Sequence, residues 1–130
     1  MQALQPDGWK RPPGFSNGTA ADGRHVFVAG QVGNDQITGE MAEGFAAQCE
    51  QALANVIAII AEAGAEPTDI AKLTWFVTSI AEYKSAGRAL GDAWKATLGR
   101  HYPAITLVEV SGLLAEGALV EIEAHAVIAG

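Results

Sequence analysis

Residues 102–127, YPAITLVEVSGLLAEGALVEIEAHAV, read as two strands joined by a loop that contains Gly112 and Gly117. From Leu119 to Ala126 apolar and polar residues alternate. That period of two puts Glu121, Glu123 and His125 on one strand face and Val120, Ile122, Ala124, Ala126 and Ile128 on the other. Ionised Glu121 and Glu123 cannot enter an apolar core without a large desolvation cost. Their face must meet solvent, a cleft or another subunit, which makes it a candidate site.

Upstream of this pair the period changes twice. Phe45, Cys49, Ala52, Leu53, Val56, Ile59, Ile60 and Ala63 recur at helical spacing, predicting an amphipathic helix over residues 42–63 that Gly64 stops. Leu73, Trp75 and Val77 alternate with Lys72, Thr74, Phe76 and Thr78, as in a strand over residues 70–79. A second helix over residues 81–98 carries Tyr83, Ala86, Leu90, Ala93, Trp94 and Leu98 on one side and ends at Gly99. Residues 24–31 (RHVFVAGQ) form a strand rich in β-branched and aromatic residues, and residues 15–19 form a shorter one, with Asp22-Gly23 as the hairpin turn between them. Pro12-Pro13-Gly14 closes an N-terminal arm, residues 1–13. The expected order is β-β-α-β-α-β-β, one α+β domain over residues 1–130 with a mixed sheet and two helices on one face.

The 130 residues suit one domain with a real core. A formal charge of −7, with eight Lys and Arg, argues against a nucleic-acid surface and against ribonuclease activity. The single cysteine excludes an intrachain disulfide, and no signal peptide or membrane span is legible, so a cytoplasmic protein is expected. Cys49 falls on the apolar helix face and reads as core, as do Trp75 and Trp94, whereas Trp9 in the arm has no core of its own. Glu121, Glu123 and His125 spread over about 13 Å at the strand rise, so one metal ion cannot reach all three. No dinucleotide or P-loop fingerprint and no nucleophile elbow is present, and no cofactor is implied.

Several segments together resemble the RidA/YjgF-type reactive intermediate (enamine/imine) deaminase family: GFSN at 14–17, VFVAGQ at 26–31, TGE at 38–40, QALANV at 51–56, AGA at 63–65, FVT at 76–78, YPA at 102–104 and GALVEIEA at 117–124. The resemblance implies a chorismate-mutase-like fold and a homotrimer with clefts between subunits. It also implies cofactor-independent hydrolysis of an enamine or imine to a ketone and ammonia. Glu121 matches the glutamate near the attacking water. Gly30 matches a glycine that lets backbone approach the ligand, and Phe15 a position that is commonly tyrosine. Ile105, followed by Thr106, stands where the family has the arginine that holds a substrate carboxylate. A sec-butyl group cannot replace a bidentate guanidinium, so the expected substrate is less charged, longer or ring-bearing rather than a small 2-imino acid. Arg100 and His101 are the nearest cations in sequence, though such residues at a helix end ordinarily just complement its dipole. An aminomuconate-type deaminase and a non-catalytic trimer that binds a small molecule or a protein are the alternatives.

Overall fold

The alternation of the last strand is carried into three dimensions. Val120, Ile122, Ala124 and Ala126 are buried, Glu123 is exposed, and Glu121 and His125 are half-buried. The computed structural model describes residues 1–130. Its elements are β1 (Gln2–Leu4), β2 (Gly18–Ala20), β3 (Arg24–Val32), α1 (Phe45–Ala61), a 3-10 turn (Pro67–Asp69), β4 (Ile70–Val77), α2 (Ile80–Thr97), β5 (Ala104–Glu109) and β6 (Val120–Ile128). The four longer strands form a mixed sheet in the order β3-β6-β4-β5. β6 is antiparallel to both its neighbours and β4 is parallel to β5, a pairing that requires the α2 crossover.

Both helices cover one face of this sheet, as expected. α1 sends Cys49, Ala52, Leu53, Val56 and Ile60, all fully buried, against Leu73, Trp75, Val77, Val120 and Ile122. It starts at Phe45, three residues later than the spacing predicts, because Gly44 takes a non-helical φ of 93°. α2 begins on a Ser79 cap, whose side chain accepts from the Glu82 amide at 3.1 Å.

The expected hairpin at Asp22-Gly23 does not form. β2 pairs instead with β1 from within the N-terminal arm, in a separate two-stranded sheet with Gln2 opposite Ala20. Thr19 ties that ribbon to the main sheet by donating to the Ala71 carbonyl at 2.7 Å. Beyond β1 the arm leaves Trp9 64% exposed.

The polar side of α1 anchors the loops that lead into the site strands. Gln48 is 3% exposed; its amide donates to the carbonyls of Ala42 (3.1 Å) and Gly117 (3.0 Å) and accepts from the Leu119 N–H at 2.8 Å. Asn55 donates to the carbonyls of Val32 and Asn34. Gln48→Leu takes the partner from three partly buried backbone groups at once and is expected to lower unfolding free energy by about 1–3 kcal/mol. A urea denaturation series against wild type measures it.

Candidate active site

The uncovered face of the sheet carries the ionisable groups of β6. Registry sets Glu121 beside Phe76 and Val32, Glu123 beside Thr74, and His125 beside Phe27 and Lys72. The β3–β6 ladder slips between Val28 and Gln31, and Gly30 lies in that irregularity. A Cβ on Gly30 would stand 2.7 Å from Glu121 Cδ, so the carboxylate lies directly over bare backbone that only glycine provides. Glu121 and Gly30 are thus brought together. On the same face Lys72 Nζ donates to Thr106 Oγ1 at 2.6 Å, and His25 Nδ1 lies 2.7 Å from His125 Nε2. Nowhere do three His, Cys, Asp or Glu side chains converge as metal ligands.

Ile105 is elsewhere. Its partner across β4 is Leu73, which is itself opposite Ala124, and both are buried under the helices. Ile105 and Glu121 therefore project from opposite faces of one sheet. Ile105 lines a cavity of about 310 Å³ between α2 and β4–β5, with Trp75, Tyr83, Leu90, Trp94 and Tyr102. α2 breaks at the wall of this cavity, where Gly87 adopts φ 50° and ψ −120°. Lys95 is the one charged residue of the lining.

Phe15 sits at the rim, 36% exposed, in a second hollow shared with Tyr102 and His101, while its neighbour Gly14 belongs to both hollows. Ser16 holds this segment beside β5, donating its amide to the Pro103 carbonyl (3.0 Å) and its hydroxyl to that of Tyr102 (2.6 Å). His101 Nε2 is 2.6 Å from the Ile70 carbonyl, which fixes the ring as part of the scaffold. Arg100 lines neither hollow; the cation nearest Ile105 in the cavity wall is Lys95, which sequence reasoning missed. The spacing of Tyr83, Gly87, Leu90 and Trp94 along one side of α2 was the available signal, but aromatic residues at that spacing read as core by default.

Two further groups are structural. Asp35 accepts from the amides of Ile37 (2.8 Å) and Thr38 (3.0 Å), and these bonds hold its carboxyl below the ordinary range. Burial raises the Cys49 thiol from an ordinary 9.0 to about 12. Since the folded value is the higher one, this group's contribution to stability is complete below pH 9.0 and is lost as pH rises toward 12. The native protein is expected to resist iodoacetamide at pH 8 and to be alkylated fully in denaturant, which mass spectrometry reads directly.

The chain resembles known proteins throughout. The family model described as Endoribonuclease L-PSP matches residues 10–128. A Salmonella typhimurium protein named 2-iminobutanoate/2-iminopropanoate deaminase is 37% identical over 105 residues, 81% of this chain and 80% of its own length. Its Escherichia coli namesake is 35% identical over the same shares. Among solved structures, the Rid-family protein YyfB from Yersinia pestis superposes with a TM-score of 0.81 at 29% identity, covering 98% of both chains. RidA from Psychrobacter gives 0.70 at 34%, covering 98% of this chain and 100% of that one. With its mixed sheet, its two helices on one face and the motifs at Gly30 and Glu121, the chain belongs to the RidA/YjgF (Endoribonuclease L-PSP) family.

Proposed function

We propose that the chain is a cofactor-independent enamine or imine hydrolase whose substrate is not a small 2-imino acid, with active sites built between copies of a homotrimer. One observation carries the reading: Ile105 lines an apolar cavity on the helix-covered face, while Glu121 lies over Gly30 on the open face. These residues can share a site only if the open face of one copy meets the cavity mouth of another. The open face also mixes carboxylates with a Phe27 that is 74% exposed, a surface better covered than solvated.

In such a site the substrate's C=N carbon lies at the mouth. Glu121 holds a water, removes its proton as the oxygen attacks, and returns that proton to the nitrogen of the tetrahedral adduct. Glu121 then takes the adduct's hydroxyl proton and delivers it to the nitrogen as the C–N bond breaks, so imine and water become ketone and ammonia. An enamine first takes a proton on carbon to reach the imine. No step needs an external redox partner. A dicarboxylate such as aminomuconate would find one cation, Lys95, in an otherwise uncharged wall, which favours a less charged substrate.

Ammonia release from a panel of imines and enamines generated in situ, set against buffer, tests the reaction. Light scattering on the eluting peak of a sizing column tests the assembly. Turnover is expected on uncharged members of the panel. A trimer without turnover on any of them would replace the hydrolase with a binding protein, and a monomer at micromolar concentration would remove the shared site.

A further inference from the structure

Two imidazoles from neighbouring strands meet on the open face, away from Glu121. Register sets His125 of β6 opposite Phe27 and His25 of β3 opposite Val127, a diagonal pair on one side of the sheet. His25 Nδ1 lies 2.7 Å from His125 Nε2, the two ring centres are 4.9 Å apart, and Phe27 packs against the His125 ring with centres 4.4 Å apart. Glu121 is four residues back along β6, about 13 Å at the strand rise. As they stand, the two facing nitrogens share one proton, and neither ring makes another hydrogen bond within the chain. Glu121, Glu123 and His125 are too far apart to hold one ion, but the second ligand that β6 lacks comes from β3.

We propose that His25 and His125 form a site for a divalent transition-metal ion of square-planar or octahedral habit, copper(II) or nickel(II), with water in the remaining positions. The shared proton shifts to His25 Nε2, so both facing nitrogens present lone pairs and the neutral pair need release no proton. At a metal–nitrogen distance of about 2.0–2.1 Å, nitrogens 2.7 Å apart subtend about 80–85° at the ion. A right angle needs a separation of about 2.9 Å and a tetrahedral angle about 3.3 Å, so the pair stands much nearer the first. That geometry disfavours zinc. The exposed His25 ring must turn for its lone pair to converge with that of His125, which Phe27 holds in place. Charge favours a cation: the chain carries −7, Glu123 lies two residues along the same face, and the Lys72 ammonium opposite His125 is engaged by the Thr106 hydroxyl. The site is independent of the hydrolase reading, which uses no metal.

The test titrates copper(II), nickel(II) and zinc(II) salts into the intact protein at pH 7.5 in a non-chelating buffer, with heat and histidine ring signals read together. The chain has three histidines, and His101, held on the Ile70 carbonyl, is the internal reference. Copper at a tenth of an equivalent is expected to broaden the His25 and His125 ring signals and spare those of His101. Saturable binding of one ion per chain in the micromolar range is expected, copper tightest, then nickel, with zinc weaker than nickel. His25→Gln changes an exposed side chain and leaves the sheet intact, and it should weaken copper binding about tenfold or more. His125→Gln should do the same and remove the two-nitrogen splitting from the copper electron paramagnetic resonance spectrum.

Unchanged copper affinity in His25→Gln would overturn the proposal by placing the ion elsewhere, the N-terminal amine first. Equal broadening of all three histidines would overturn it as adventitious copper only. Zinc bound more tightly than nickel would overturn the geometric selection. Ammonia release that is the same with and without the ion upholds the independence of this site from Glu121.

Discussion

Replacing Glu121 by glutamine is expected to cut ammonia release by about 10²- to 10⁴-fold, the usual span of general acid–base catalysis. The change keeps the size and hydrogen-bonding reach of the side chain over Gly30 while removing the basic carboxylate. The loss should fall on kcat more than on KM, because the proton is moved only as water attacks. Gly30→Ala is a useful companion. Its Cβ would displace the carboxylate from where it now lies, so a comparable loss should appear with the carboxylate itself retained. Full activity in Glu121→Gln would leave backbone carbonyls to position the water.

The second large effect is expected from Ile105→Arg, which restores at this position the cation that the family resemblance implies. Ile105 is half-buried on the wall of the aromatic cavity, where a guanidinium entering the space could pair with a substrate carboxylate. A charge-assisted pair contributes about 1.5–3 kcal/mol, so preference should shift toward carboxylate-bearing imines by about one to two decades in kcat/KM. Activity on an uncharged imine should fall, since the longer side chain occupies ring space beside Lys95. Kinetics on one uncharged and one carboxylate-bearing substrate read both changes. An unchanged ratio would mean that Ile105 does not face the bound substrate.

Most of the fold was legible because its elements obey local periods. The alternation around Glu121 and the helical spacing around Leu53 each report one buried face, and those faces meet in the core. The N-terminal ribbon was not legible. Asp22-Gly23 is a good turn signal, yet β2 takes its partner from residues 2–4, and nothing local distinguishes those pairings. For the candidate site, the residues could be named from the sequence but not the side of the sheet that each faces. Glu121 could be assigned to a polar face from its own strand, but β5 has no strong alternation, since Ala104, Ile105, Leu107 and Val108 are all apolar. Only the register against Leu73 sets Ile105 on the helix side. Trp75 and Trp94 matched a packed core in type and spacing; their unpaired indole nitrogens exist only once the chain is folded.

Because the proposed site takes Glu121 from one copy and the aromatic cavity from another, complementation between two inactive variants tests it most directly. Glu121→Gln and Gly91→Leu, the second filling the cavity that Gly91 lines, are each expected to be of low activity alone; they are unfolded together in equal amounts, refolded, and assayed on the imine that wild type turns over best. Random assembly leaves one site in four with both an intact carboxylate and an intact cavity, so recovery of about a quarter of the wild-type rate is expected. Recovery no greater than the mean of the two separately refolded variants, with mixed trimers verified by native mass spectrometry, would contradict a site shared between subunits.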